Sequence, residues 1–541
     1  MKQFQNSALI AIAASVMLVL AAPTATNAQT YTVLYNMTVN TADPFDPQFL
    51  GVFAQARDGN MYGTSQNGGT LNHGAIFRLT PAGALTVIHS FDLTNGGAPR
   101  SGLTLGTDGF LYGTTCNGGA NNGGTFFKIS TAGTYTVVHN FNLANNEGYC
   151  PSAAPIQGTD GNFYGTTTAA PNPGHGTIYR MTPAAVLTTL HTFNDADGET
   201  PLALVLGTDG SLYGTSRYGG TSNIGAAFKI TPAGVFKLLH SFNGTDGNDP
   251  IGPIIQANDG NFYGSTNTGS TLYRMTPSGV LSTLKTLNAQ TGRLPFAGLI
   301  QGSDGKFYGV FTGGGANGVG TVLQVTSAGV SSVVHNFAIT TGYEDQVSLF
   351  QHTSGKFYGN TAGGGASSKP GGVFYQLNMG LGPFVRMLPS LASGGVGKTV
   401  QFLGQGFTGT TAVHFGGVAA TFTVVSNTFL TATVPSGAKT GSVTVTTPGG
   451  VLTSNKTFRV TPQITSLSPL SGAVATVVTI TGVSLSQTTK VTFGGVSATT
   501  FTVNSDTKVT ATVPAGAKTG KIVLTTQGGT ASSATNFTVT P

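Results

Sequence analysis

The sequence predicts an all-β chain: a seven-bladed β-propeller closed by an N-terminal strand, followed by two small β-sandwiches. Three observations carry this expectation. First, the phrase Asp-Gly-x-x-Tyr-Gly, with Ser354 for Asp in the last copy, recurs with its tyrosines at Tyr62, Tyr112, Tyr164, Tyr213, Tyr263, Tyr308 and Tyr358, spaced by 50, 52, 49, 50, 45 and 50 residues. A fixed period of this size marks a repeat architecture. Second, glycine supplies 80 of 541 residues while 39% are apolar and fall in short alternating runs, the pattern of many short strands joined by Gly-rich turns. Third, residues 383–461 and 462–541 repeat each other: Phe415-Gly-Gly-Val418 matches Phe493-Gly-Gly-Val496, and Ala432-Thr-Val-Pro435 matches Ala511-Thr-Val-Pro514.

Residues 1–28 read as a secretory signal peptide. Lys2 supplies a positive start, Ala8–Ala22 is an apolar run too short for a comfortable membrane span, and Thr26-Asn27-Ala28 resembles the end of a cleavage site. The mature chain is then expected to start near Gln29, without a transmembrane segment, and to be extracellular, cell-surface or periplasmic. Export implies an oxidising compartment. Only Cys116 and Cys150 are present, which makes them the single disulfide candidate.

Residues 29–382 form the repeat region. One unit, Leu202 to Phe242, contains four strand-like pieces. Leu202–Leu206 is a short apolar strand a. Asp209-Gly210 is a dipeptide suited to a tight hairpin turn, and Leu212–Ser216 follows as strand b. A Gly/Asn-rich loop leads to strand c, Ala226–Thr231; Pro232-Ala-Gly234 turns the chain into strand d, Val235–Phe242. Four strands every 40–50 residues is the pattern of a propeller blade. Strand d follows the first six tyrosines, at Leu85–Phe91, Tyr135–Phe141, Leu187–Phe193, Phe236–Phe242, Leu281–Leu287 and Ser331–Phe337. The seventh unit stops after strand c, Gly371–Leu377, and the missing strand stands at the front of the mature chain as Tyr31–Met37. A ring closed by that strand accounts for both oddities and removes an unpaired sheet edge.

Antiparallel order puts the tight a–b and c–d turns on one face. The long b–c loops and the connectors from d to the next a lie on the other. Cys116 falls in a b–c loop and Cys150 in the following connector, so both belong to the loop-rich face. A bridge closing about 35 residues contributes a few kcal/mol.

Residues 383–461 and 462–541 are each about 80 residues of Val/Thr-rich short strands, suited to a small sandwich. Charge divides unevenly. Residues 29–382 carry 14 Lys+Arg against 17 Asp+Glu, whereas residues 383–541 carry nine against Asp506 alone. These cations stand singly on a Thr/Val background and read as a solvated surface rather than a patch for a polyanion.

The recurring anchors, with Phe228-Lys-Ile-Thr-Pro-Ala-Gly234 and Leu239-His-Ser-Phe242, resemble the Gloeo/Verruco-type tandem repeat, the GloVer family, over most of residues 31–377. The resemblance implies a secreted bacterial surface protein with no enzymatic activity. Ile464-Thr-Ser-Leu-Ser-Pro-Leu-Ser-Gly472 with Val477-Val-Thr-Ile-Thr-Gly482 resembles the IPT/TIG immunoglobulin-like domain, and the first copy begins less typically at Val385-Arg-Met-Leu-Pro389. In exported proteins that resemblance implies a stalk or adhesive spacer. Transcription factors use the same fold on DNA, but a signal peptide argues against a nucleic-acid partner.

Candidate chemistry is sparse. His89, His139, His191, His240 and His335 recur once per unit on the outer strand, with Tyr35 and Lys285 at that position elsewhere; so distributed, they cannot converge on one ligand and are expected to be scaffold. Asp58, Asp108, Asp160, Asp209, Asp259 and Asp304 each precede glycine and are expected to form turns. Gln55, Gln157, Gln256, Gln301 and Gln351, with Leu105 and Leu206 in the remaining units, are expected to satisfy hydrogen bonds between blades. Asp195-Ala-Asp197-Gly198-Glu199 and Asp246-Gly-Asn-Asp249 are oxygen-rich loops that offer Ca²⁺ a weak possibility, since neither has full calcium-loop spacing. No nucleophile motif, phosphate loop or Cys/His metal cluster is present, so no catalytic, cofactor-binding or metal residue is assigned. The expected function is a monomeric, secreted or cell-surface, non-enzymatic binding or adhesion scaffold. Its ligand is expected to be a polysaccharide, another envelope component or a surface protein held on the b–c loop face. The alternative is a propeller lyase or glycosidase acting on polysaccharide.

Overall fold

The computed structural model describes residues 29–39, 43–45, 53–170, 174–344, 347–366 and 370–541; the expected signal segment 1–28 lies outside them. The described chain is all-β, broken only by two short 3₁₀ turns at Leu143–Asn145 and Pro389–Leu391.

The repeat region folds as seven four-stranded antiparallel sheets, each in the order a-b-c-d. In sheet 1 these strands are Ala54–Gln55, Met61–Ser65, Ala75–Leu79 and Leu85–Ser90. Strands b and c are almost wholly buried, whereas d is half-exposed. Seven hydrophobic clusters are each shared by two sheets adjacent along the chain or by the last and the first. Cluster members Met61, Phe77 and Leu79 of sheet 1 pack with Phe350, Tyr358 and Phe374 of sheet 7.

Sheet 7 is completed by the N-terminal strand. Thr30–Thr38 pairs antiparallel with Pro370–Asn378, Tyr31 opposite Leu377 and Val33 opposite Tyr375. The register then skips Leu34, so that Tyr35 faces Phe374. The same one-residue bulge occurs in the d strands of the other six sheets, at Ile88, Val138, Leu190, Leu239, Leu284 and Val334. A bulge is a specific local device, and its presence at Leu34 gives the N-terminal segment the geometry of a strand d.

Two strand expectations need correction. Strand d ends one residue before the aromatic or Leu that was expected to close it, at Ser90, Asn140, Thr192, Ser241, Thr286 and Asn336. The next residue, Phe91 in sheet 1, turns inward and is fully buried while its N–H binds the Gly74 carbonyl at 3.0 Å. Strand a is only two residues long in every sheet but the fourth, where it extends to Glu199–Leu206 because the preceding connector runs on along strand b, Glu199 facing Tyr218.

Residues 383–461 and 462–541 each form a sandwich with one four-stranded sheet of the same order; the opposite sheet has four strands in the first, with Ser393–Gly394 and Arg459–Val460 paired separately, and five in the second. In the second, one sheet runs Gln463–Ser468, Val477–Val483, Lys508–Thr512, Phe501–Ser505; in the first, Arg386–Met387, Thr399–Leu403, Phe429–Thr433, Phe422–Ser426. Each encloses its own core, around Phe402, Phe415 and Phe458 in the first and Phe493 and Phe537 in the second.

The first sandwich is not a free spacer. It sits on the tight-turn face, where Leu388, Leu403 and Phe429 join the cluster of Ala54, Ala56, Leu103 and Leu105. Its polar contacts reach the a–b turns of five sheets. Thr428 Oγ1 donates to the Arg57 carbonyl (2.7 Å), Gln401 Nε2 to Thr107 O (2.8 Å), Gln405 Nε2 to Thr353 Oγ1 (2.9 Å), and Lys456 Nζ to Gln256 O (3.0 Å) and Gln301 Oε1 (3.2 Å). Arg386 donates to Gln351 O and lies over the Phe350 ring at 4.5 Å. Arg386 and Lys456 thereby depart from the expected solvated surface. Burial lowers the Arg386 guanidinium to about 10 and the Lys456 ammonium to about 8.

Candidate functional site

The recurring phrase is structural: six of its copies carry the aspartate, and in the seventh Ser354 takes its place while the Tyr358 hydroxyl donates to Pro81 O at 3.2 Å. The Asp209 carboxylate accepts the Ser211 N–H at 3.0 Å through one oxygen, closing the turn, and the Tyr213 hydroxyl at 3.0 Å through the other. Asp58, Asp108, Asp160, Asp259 and Asp304 hold Tyr62, Tyr112, Tyr164, Tyr263 and Tyr308 in the same way. Burial, then the neighbouring carboxylate, pushes the Tyr263 hydroxyl up to about 12 and the Tyr62 hydroxyl beyond that. The glycine after the tyrosine is needed for a different reason. A Cβ on Gly214 would stand 2.7 Å from Phe228 Cζ, because the strand-c ring crosses over that backbone.

The glutamines bridge neighbouring sheets, as their placement predicted. Gln157 Oε1 accepts the Thr107 N–H, Gln256 Oε1 that of Thr208, Gln301 Oε1 that of Asn258 and Gln351 Oε1 that of Ser303, all at 2.8–3.0 Å. Gln55 repeats the contact between the first and last sheets, accepting Thr353 N–H at 3.1 Å. The outer-strand histidines are also scaffold: His89 stacks on Tyr135, His191 on Phe236 and His335 on Tyr31, each ring from the next sheet at 3.8–3.9 Å. Burial lowers His335 to about 4.

With the turn face covered, the loop-rich face is the open one. Its connectors are laced to the b–c loops by isolated bridges such as Gly97 with Asn117 and Tyr149 with Ala169. Cys116 and Cys150 are joined by a disulfide, Cα atoms 3.8 Å apart.

The acidic loops divide by what holds them. Asp197 binds His191 (3.1 Å) and the Asn194 N–H (2.9 Å); Asp246 binds His240 (2.7 Å) and the Asn243 N–H (3.0 Å). Asp249 pairs with Arg217 at 2.8 Å. These carboxylates are engaged by the protein's own donors, which leaves the Asp246–Asp249 loop poorly suited to calcium. Asp195 and Glu199 instead meet His175. Its Nε2 lies 3.1 Å from Asp195 Oδ1 and its Nδ1 3.7 Å from Glu199 Oε2, with Asp195 exposed and the other two partly buried. Sequence reasoning weighed Asp195 and Glu199 but passed over His175, which is 20 residues away and belongs to no recurring motif. The corresponding residue is His73 in unit 1, Gly123 in unit 2 and Ile224 in unit 4, so the signal lay in the pairing of this histidine with the acidic connector of unit 3 alone.

The fold thus defines a class of all-β proteins built of repeated four-stranded sheets followed by small β-sandwiches. The chain belongs to the Gloeobacter/Verrucomicrobia repeat family, whose pattern matches residues 24–228 and 200–425; an IPT/TIG domain matches residues 462–539. No curated protein matches the chain. Among solved structures, virginiamycin B lyase from Staphylococcus aureus is similar at 17% identity over 65% of this chain and 99% of that one, TM-score 0.47. A gluconolactonase from Xanthomonas campestris matches at 9% identity over 63% and 99%, TM-score 0.35. The surface glycan-binding protein PbSGBP-B from Prevotella bryantii matches at 18% over 27% and 38%, TM-score 0.22. These likenesses are too distant to carry function. Among the described residues no helix is long and apolar enough to cross a membrane.

Proposed function

We propose that this chain is an exported, cell-surface binding scaffold without enzymatic activity, acting as a monomer. In this reading the seven sheets close into a seven-bladed propeller, with Thr30–Thr38 as the strand that seals it. Both sandwiches, 383–461 and 462–541, are IPT/TIG modules. The loop-rich face receives a polysaccharide or another envelope component. One observation carries the choice of face. The first sandwich covers the turn face through contacts at Arg57, Thr107, Gln256, Gln351 and Thr353, so a large ligand is left the b–c loops and connectors. Variable loops on a rigid scaffold are also where binding function concentrates.

The test is a glycan array probed with the purified chain lacking residues 1–28. Binding that is lost when the b–c loops of two neighbouring units are replaced by Gly/Ser, with no change in the glycan, supports the scaffold. Release of shorter or unsaturated product would replace it with the lyase or glycosidase reading. Retention of binding after loop replacement would move the site off this face.

A further inference from the structure

We propose that His175, Asp195 and Glu199 form a binding site for one divalent transition-metal ion of the zinc class on the loop-rich face. The site is independent of the ligand proposed above.

The geometry is the first argument. The three residues offer one ligand atom each, and these atoms lie within 4.8 Å of one another. Ligands of a tetrahedral zinc at about 2.0–2.1 Å from the metal are about 3.3 Å apart. The widest separation then closes by at most about 1.5 Å, and Asp195, with 83% of its side chain exposed, can move with it. One imidazole and two carboxylates supply three protein ligands and leave a fourth position open, as in solvent-accessible zinc sites. An imidazole nitrogen in the set favours a zinc-class ion over Ca²⁺, which takes six to eight oxygens.

The backbone is the second. His175 O accepts the Thr200 N–H at 2.9 Å and Asp195 O the Gly220 N–H at 2.8 Å, while Glu199 is paired with Tyr218 in the sheet. All three backbones are therefore fixed without help from their side chains. By contrast, the carboxylates of Glu147, Asp197 and Asp246, which also meet histidines, each accept a backbone N–H and close their own loop. Asp195 and Glu199 accept none among the described residues.

The repeats are the third, since they act as internal controls. The N–H to carbonyl contact of Thr200 with His175 recurs as Ala98 with His73, Cys150 with Gly123, and Asp249 with Ile224. At the three positions held by His175, Asp195 and Glu199, unit 1 carries His73, Leu93 and Gly97; unit 2 carries Gly123, Leu143 and Tyr149; unit 4 carries Ile224, Gly244 and Asn248. The fold thus accepts His, Gly or Ile at the first position, Leu or Gly at the second and Gly, Tyr or Asn at the third, and of these four units the third alone carries a ligand at all three. A group that the architecture required would recur, as the aspartate, glutamine and outer histidine do.

The test uses the full mature chain stripped by chelator and titrated with Zn²⁺ by calorimetry, beside His175→Ala and the double variant Asp195→Asn/Glu199→Gln. The expected result is one equivalent of zinc bound by the parent chain, at least tenfold weaker binding in each variant, and no competition from millimolar Ca²⁺. Melting of the metal-free variants at the parent temperature shows that the fold is intact; a Leu93→Ala variant at the matching position of unit 1 controls for loop damage and is expected to bind as the parent does. Equal zinc binding by parent and variants, or displacement of zinc by Ca²⁺, overturns the proposal.

Discussion

Gln55, on the innermost strand of the first sheet, makes a two-way bond with Thr353 of the last: its Nε2 donates to Thr353 Oγ1 at 2.8 Å and its Oε1 accepts the Thr353 N–H at 3.1 Å. Both residues are buried. Replacing Gln55 by Ala leaves the buried Thr353 N–H without its acceptor, at a cost of about 1–3 kcal/mol. Urea unfolding is expected to show the midpoint lowered with the slope unchanged. Gln301→Ala, at a more exposed copy of the contact, is expected to cost less.

Removal of Thr30–Thr38 has a larger expected effect. It strips the partner from Pro370–Asn378 and exposes a flat strand edge, a template for aggregation. The truncated chain is expected to lose its single cooperative melt and to aggregate in light scattering, whereas a chain starting at Gln29 does not.

A buried histidine gives the stability a definite pH dependence. His352 Nε2 donates to Gly59 O at 2.9 Å while Nδ1 accepts the Ser354 N–H at 3.2 Å, an arrangement that only the neutral ring satisfies. Burial lowers its pKa to about 4, while an unfolded histidine titrates near about 6.5. Between these values the unfolded chain binds the extra proton, so this contribution is complete above about pH 6.5 and declines toward pH 4. His352→Gln is expected to flatten the melting temperature between pH 7 and pH 4.5. An unchanged pH profile would refute the assignment. His335, lowered likewise, leaves part of the slope in place.

The glycines of the repeated phrase separate two physical costs. Gly214→Ala drives a methyl group against Phe228, and overpacking of this kind costs about 1–3 kcal/mol. A Cβ on Gly210 meets nothing within 4 Å but sits at φ +79°, so Gly210→Ala costs about 1 kcal/mol through backbone strain alone. Chemical denaturation of the two variants is expected to rank them in that order.

Truncation distinguishes the two sandwiches. Among the described residues, deleting 462–541 breaks a small contact in which Gln487 meets Thr440, Arg459 meets Gln527 and Gly528 packs on Val460. The remaining chain is expected to melt at the parent temperature. Deleting 383–541 uncovers the apolar cluster of Ala54, Leu103 and Leu105 and is expected to lower the melting temperature by several degrees and raise dye binding to apolar surface.

Local pattern alone was enough for the repeat, its four strands, the turn-forming role of Asp209, and the strand at Tyr31–Met37. Each of these is written in local pattern: side chains alternate along a strand, and a turn needs its Asp-Gly within four residues. The glutamine bridges were legible as well, because glutamine at one position in five of seven units exposes a shared role. It took the packed molecule to reveal that the first sandwich covers the turn face, that Arg386 and Lys456 are half-buried there, and that His175 meets Asp195 and Glu199. Those contacts join segments separated by loops of irregular length, and an unpaired lysine or histidine reads the same in sequence whether it faces solvent or a neighbouring sheet. The bulge at Leu34 lies between the two cases. It follows a recurring sequence position, but its meaning emerges only when the first strand is seen beside the last.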